Sequence, residues 1–90
     1  MSDRQLAVAL RYLHKMDPAP RVAAKGWGYV AEKIVAIAKQ QNVPVHHDRD
    51  LAEVLIKLDI GESIPEELYK VVAEILAYIY KTNKGMRNEG

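Results

Sequence analysis

The chain has 90 residues, of which 49% are hydrophobic and 28% charged, so it holds enough apolar material for one compact core and is not a disordered chain. Thirteen basic and twelve acidic side chains leave a formal net charge of +1 and alternate along the chain, which excludes the concentrated basic face of a nucleic-acid-binding protein. The absence of cysteine excludes disulfides, thiolate zinc sites and cysteine nucleophiles.

Two short strands are predicted near the N-terminus. Residues 6–12 are apolar on both faces, which is typical of a central strand. The segment 14–20 contains an aspartate and two prolines, so the chain is expected to reverse there. Residues 21–25 then form the second strand, and the two strands are expected to pair antiparallel.

A helix and a third strand are predicted next. Gly26 and Gly28 end the second strand, and helical spacing over residues 29–41 places four apolar side chains on one stripe, namely Ala31, Ile34, Val35 and Ala38. Residues 43–46 alternate as a third strand. The helix between them predicts a right-handed crossover, which makes the second and third strands parallel neighbours.

Two further helices complete the chain. Asp50 and Glu53 form a capping-box signature, which predicts a short helix starting at Asp50. Pro65 is predicted as the first residue of the last helix, whose apolar residues recur at three- and four-residue steps, namely Leu68, Val71, Val72, Ile75, Leu76 and Ile79. The longest apolar segment, 71–80, is much shorter than the ~20 residues of a membrane-spanning helix.

The predicted fold is therefore one α/β domain over residues 1–90, with its core at about 5–83 and a flexible tail at 84–90. A small mixed sheet of about three strands is surrounded by three helices in the order β-β-α-β-α-α. Nothing at the N-terminus resembles a signal peptide.

One motif raises a cofactor hypothesis. Gly26-x-Gly28-x-x-Ala31 follows a predicted strand, opens a helix and has Asp48 about 20 residues further on, as in a dinucleotide-binding turn. The bulky Trp27 and Tyr29 and the presence of only one βαβ unit favour a structural turn instead. A small nucleotide-binding protein is kept as the alternative function.

No catalytic or metal centre is predicted. His46, His47, Asp48 and Asp50 are close in sequence, but adjacent residues at a strand end point to opposite sides, and a solvated loop with a helix cap is favoured. Ser63 has no histidine nearby in sequence. Four aromatic residues remain as possible interface anchors, namely Trp27, Tyr69, Tyr78 and Tyr80.

Several separated segments resemble one known family. They are Ala7–Tyr12, Ala19–Gly26, Val43-Pro44-Val45 with Leu51-Ala52, and Ile64–Tyr80. In order and spacing they closely resemble the cytoplasmic C-terminal domain of the flagellar and type III secretion export-switch proteins, the FlhB/YscU/SpaS family. The resemblance implies a small sheet surrounded by helices on the cytoplasmic side of the export gate, where the domain engages export substrates and helps to change which class is exported.

The resemblance also implies a binding site. In the family, a hydrophobic substrate-recognition patch forms between the segment before the second strand and the last helix, and the matching residues here are Ala19, Pro20, Ala73 and Leu76. The competing interpretation is that these four residues simply pack the loop onto the helix. Ala73 and Leu76 are helical neighbours in either case.

The chain departs from the family at the self-cleavage motif. Members that cut themselves carry Asn-Pro-Thr-His before the first matching strand, where this chain reads Ser2-Asp3-Arg4-Gln5, and no Asn-Pro occurs anywhere. The chain therefore resembles a stand-alone counterpart of the cleaved C-terminal fragment. We expect a non-enzymatic, cytoplasmic, monomeric domain at the inner-membrane export apparatus. Its expected partners are gate proteins and secreted substrates, and we expect no cofactor, metal, nucleic-acid binding or membrane insertion.

Overall fold

The computed structural model describes residues 4–12 and 19–77, and these residues form two strands and three helices. Strand β1 is Leu6–Arg11 and strand β2 is Arg21–Trp27. Helix α1 is Gly28–Gln40 and helix α2 is Arg49–Leu55. A 3-10 turn over Glu66–Leu68 leads into helix α3, which occupies residues 69–77.

Three expectations fall on other parts of the chain. The reversal over residues 14–18, the last helix beyond residue 77 and the tail at 84–90 lie outside the described residues. Among the helices of residues 4–12 and 19–77, none is long and apolar enough to cross a membrane.

Helix α1 covers one face of the β1–β2 hairpin. The strands pair antiparallel, and the register groups four small residues on this face, namely Ala7, Ala9, Ala24 and Gly26. A Cβ at Gly26 would overlap the side chain of Val30 in α1, and Ala31 of the same helix is fully buried. The small residues therefore let α1 approach the sheet closely.

The main core lies on the opposite face of the hairpin. Val8 and Leu10 pack there against a buried cluster whose members come from the segment before β2, from α2 and from the C-terminal region, namely Ala19, Leu55, Ile64 and Val72. Helices on both faces explain why β1 is apolar throughout. The prediction of a central strand is nevertheless wrong, because β1 pairs only with β2 in the described part of the chain.

The predicted third strand at residues 43–46 is also wrong. These residues have no regular structure, and Val43 and Val45 are 51% and 37% exposed, so burial does not hold them against a sheet. The segment 61–64 takes the outer edge of β2 instead. The Val22 N–H donates to the carbonyl of Glu62 at 3.0 Å, and the Gly61 N–H donates to the carbonyl of Val22 at 2.7 Å.

The described sheet is consequently antiparallel and has two strands, whereas a mixed sheet of three strands was predicted. Because no third strand follows α1 in the described residues, the predicted parallel crossover through α1 is wrong as well. Pro44 adds a local reason, because it has no N–H to donate to a ladder. The described elements follow the order β-β-α-α-α.

Two helix starts also differ from prediction. Helix α2 begins one residue earlier, after Asp48, whose carboxylate accepts the Leu51 N–H at 3.1 Å. The capping box at Asp50 and Glu53 is wrong, because Asp50 lies inside the first turn and Glu53 pairs with Arg49 at 3.1 Å. Pro65 is extended and precedes the 3-10 turn, so it stands just before the first helical residue.

Candidate protein-binding surface

The four residues of the predicted patch occupy different depths. Ala19 and Pro20 lie directly before β2 and are buried, with Ala19 only 2% exposed. Leu76 is partly buried and packs against the cluster that contains Ala19. Ala73 is exposed. The structure therefore brings Ala19 and Leu76 into one hydrophobic cluster and leaves Ala73 on the surface beside it.

The amphipathic pattern of α3 produces this arrangement. Leu68, Val72 and Leu76 recur every four residues and turn toward the core, where Val72 is 3% exposed. Ala73 follows Val72 and is three residues from Leu76, so it shares the solvent boundary of α3 with Leu76. A partner can reach Ala73 and the exposed part of Leu76 without any change in the fold.

Ala19 and Pro20 contribute from below this surface. The carbonyl of Pro20 accepts the Ile64 N–H at 3.0 Å, which ties the entry of β2 to the segment before α3. Because both residues are buried, they offer almost no side-chain area to a partner, and Ala19 contributes only through the cluster against which Leu76 packs. The segments next to this surface along the chain, 13–18 and 78–90, are not among the described residues.

The Gly26–Ala31 motif has a structural explanation at each position. Gly26 lies in β2 against Val30, Gly28 has φ +57° where β2 gives way to α1, and Ala31 is fully buried. The carboxylate of Asp48 caps α2 by accepting the Leu51 N–H. The geometry supports the structural interpretation of the motif.

The histidines near α2 do not converge on a metal site. His46 and His47 are exposed, while the neighbouring Asp48 is engaged at the helix cap. Within residues 4–12 and 19–77, no group of three histidine, aspartate or glutamate side chains is placed to hold a metal ion.

Trp27, one of the possible interface anchors, contacts two arginines that the sequence did not indicate as its partners. The guanidinium groups of Arg4 and Arg49 lie 5.2 and 5.6 Å from its ring centroid, within cation–π range. Arg49 also donates to the carbonyl of Arg4 at 2.7 Å and to Glu53 at 3.1 Å. These contacts join the segment before β1 to β2 and α2 around one ring. Only the aromatic residue between two glycines was a sequence signal, because its partners are far apart along the chain.

A shallow groove lies beside Trp27. It is lined on the α2 side by residues of both charges and by two aliphatic side chains, namely Asp50, Glu53, Val54, Ile56 and Lys57. Tyr69, another predicted anchor, is exposed on α3, while Tyr78 and Tyr80 lie outside the described residues.

Lys25 forms hydrogen bonds to a distant part of the chain that the sequence did not predict. Its ammonium group donates to the carbonyl oxygens of Ile56 and Leu58, at 3.2 and 2.7 Å, where α2 ends. A cation is favourable at this end because the last carbonyls of a helix lack helical partners. A lysine within an otherwise small and apolar strand was the available signal.

The hairpin with helices on both faces defines a small α/β domain of a type known from solved structures. The cytoplasmic domain of FlhB from Shewanella putrefaciens is similar, with a TM-score of 0.86 and 34% identity, over 94% of this chain and 67% of that chain. The PscU C-terminal domain matches with a TM-score of 0.77 and 28% identity, over 82% of this chain and 95% of that chain.

Sequence comparison agrees with the fold. The model of the FlhB HrpN YscU SpaS family matches residues 4–79, and the chain belongs to this family, with similarity to its C-terminal cytoplasmic domain. The uncharacterised protein YlqH of Bacillus subtilis (strain 168) is 46% identical over 83 residues, covering 92% of this chain and 89% of YlqH. The flagellar biosynthetic protein FlhB of the same strain is 44% identical over 79 residues, and the match spans 87% of this chain but only 22% of FlhB.

Proposed function

We propose that this chain is a non-catalytic protein-binding domain of a flagellar or type III export apparatus. It engages export substrates or the export gate at the cytoplasmic face of the inner membrane and contributes to the switch in substrate specificity. Family membership supports this role. The observation that carries it is the exposed Ala73, three residues from the partly buried Leu76, which packs against the core cluster that contains Ala19.

The residues at the position of the family's self-cleavage motif support a non-catalytic role. The carbonyl of Gln5 accepts the Gly28 N–H at 2.7 Å, and Arg4 stacks on Trp27. Both residues therefore serve the sheet and its packing. Ser2 stands where self-cleaving members carry the asparagine whose amide attacks its own carbonyl, and no Asn-Pro occurs in the chain, so the asparagine route of self-cleavage has no nucleophile here.

The direct test is an NMR titration of the chain with gate components and with hook-class export substrates. We expect shifts centred on Ala73 and Leu76, and we expect Ala73→Asp to weaken binding at least about tenfold, because a carboxylate would have to be desolvated at the contact. Ala73 is exposed, so this variant should remain folded.

Ala36→Asp is the matched control, because Ala36 is an exposed alanine on α1. Ala36→Asp should bind like the parent chain. Equal binding by the parent and Ala73→Asp chains, or no binding of either partner class, would overturn the proposal. Leu76→Asp is a weaker probe, since its carboxylate would also contact the core cluster.

A further inference from the structure

The outer edge of β1 carries backbone groups with no partner in the described part of the chain. The Gly28 N–H donates to the carbonyl of Gln5, so odd-numbered residues of β1 bond toward β2. The N–H and C=O groups of Leu6, Val8 and Leu10 consequently point away from β2. Nothing in residues 4–12 and 19–77 bonds to them from that side.

The side chains of this edge leave apolar surface uncovered. All five residues from Leu6 to Leu10 are apolar, yet each is only partly buried. The stretch contains no charge and no proline, two of the features that protect an edge strand from pairing. The register shift between Ala9 and Leu10 places its extra residue, Ala23, in β2 and not in β1. An open, apolar strand edge is a template for a further strand.

The sequence of the edge indicates which strand fits. Leu6-Ala7-Val8-Ala9-Leu10 reads the same in both directions. We propose that two copies of this chain pair antiparallel along β1, about a two-fold axis at Val8. Leu6 then lies opposite Leu10 of the partner subunit, and each opposed pair of outward-pointing residues exchanges two hydrogen bonds.

The arginines on either side of the apolar stretch favour this antiparallel register over the alternatives. In the two-fold pairing, Arg11 lies opposite Gln5 of the partner subunit, so the two Arg11 residues lie at opposite ends of the paired strands. A parallel pairing in register would set each Arg11 against Arg11 of the partner subunit, and like charges in that position are destabilising. A slip of two residues would place Arg4 or Arg11 against the apolar stretch.

Arg49 limits how far the edge extends. It donates to the carbonyl of Arg4 at 2.7 Å, and the alternation of the ladder turns this carbonyl outward too. The open edge therefore begins at Leu6. Pairing two such hairpins produces a four-stranded sheet, which is a common size.

This dimer replaces the monomer expected from the sequence. It uses backbone groups of β1 and not the side chain of Ala73, so either proposal can fail while the other stands. The test begins with the unmodified chain. Sedimentation velocity over a wide concentration range should show a monomer–dimer equilibrium.

Hydrogen exchange then locates the interface. The amides of Leu6, Val8 and Leu10 should exchange slowly in the concentrated sample and quickly after dilution, whereas those of Ala7 and Ala9 should be slow in both. A chain that stays monomeric at every concentration would overturn the proposal. So would a dimer in which the three outward amides remain unprotected.

A pair of variants gives an independent result. Val8→Pro removes an outward N–H without removing a bond to β2, and it should weaken dimerisation at least about tenfold while the circular dichroism spectrum is retained. Val54→Lys is the control, because it removes an exposed apolar side chain on α2. A folded Val8→Pro chain that still dimerises, or a monomeric Val54→Lys chain, would contradict the edge pairing. If Val8→Pro does not fold, the exchange measurement on the unmodified chain decides.

Discussion

Lys25 shows how a charged side chain is accommodated between a strand and a helix end. Its ammonium group donates to two carbonyls at the end of α2, and Lys25 is partly buried. Lys25→Met keeps most of the aliphatic stem and removes both bonds, so we expect a loss of about 1–3 kcal/mol in the free energy of unfolding. Urea denaturation measures this loss. Lys33→Met on the exposed side of α1 should change stability by less than about 0.5 kcal/mol. Equal losses of stability in the two variants would show that the two hydrogen bonds of Lys25 do not stabilise the fold.

The two glycines of the Gly26–Ala31 motif are required for different reasons. Gly28→Ala meets no atom within 4 Å but keeps φ +57°, so we expect a loss of about 1–2 kcal/mol, and a smaller loss for Gly28→Asn. Gly26→Ala should destabilise by overlap with Val30. Thermal denaturation of a double-mutant cycle separates the two causes. Val30→Ala should recover part of the Gly26→Ala loss and none of the Gly28→Ala loss. Additive effects at Gly26 and Val30 would exclude the steric explanation.

At the level of elements, the start of α2 depends on one cap. The carboxylate of Asp48 accepts the Leu51 N–H, whereas Asp50 lies in the first turn. Asp48→Ala should therefore cost about 1 kcal/mol, and Asp50→Ala only a few tenths from the helix dipole. Chemical denaturation of both variants measures the difference. A larger loss of stability for Asp50→Ala than for Asp48→Ala would mean that Asp50 caps α2, as the sequence pattern predicted.

The sequence predicted a strand or helix correctly wherever the pattern of apolar residues within that element was sufficient to define it. Both strands and all three helices are confirmed, because alternation and the spacing of residues such as Leu68, Val72 and Leu76 follow from each element's own buried face. The false strand at residues 43–46 has the same local alternation. It fails because the segment 61–64 bonds to the outer edge of β2, a competition that no local pattern records.

The candidate surface was predictable to the same degree. Helical spacing placed Ala73 beside Leu76 correctly, but the resemblance alone singled out Ala19 and Pro20, and their depth depends on distant residues. Ala19 is buried against Leu55 and Ile64, which belong to later segments. The sequence therefore predicted that Ala73 and Leu76 are neighbours on one helix but not that Ala19 and Pro20 are buried.

At the scale of the whole molecule, the only tryptophan reports on the junction of three elements. Trp27 stacks with Arg4 and Arg49, and the same hairpin supports the packing on both of its faces. In samples dilute enough for the proposed dimer to dissociate, we expect one cooperative transition, with coincident denaturation midpoints by Trp27 fluorescence and far-UV circular dichroism. Arg49→Ala should shift the emission spectrum but lower stability by no more than about 1 kcal/mol, because the contacts that it removes are at the surface. A fluorescence midpoint that clearly precedes the circular dichroism midpoint would mean that α2 separates from the sheet before the core unfolds. In that case the Trp27 contacts, and not the shared core, would hold α2 in place.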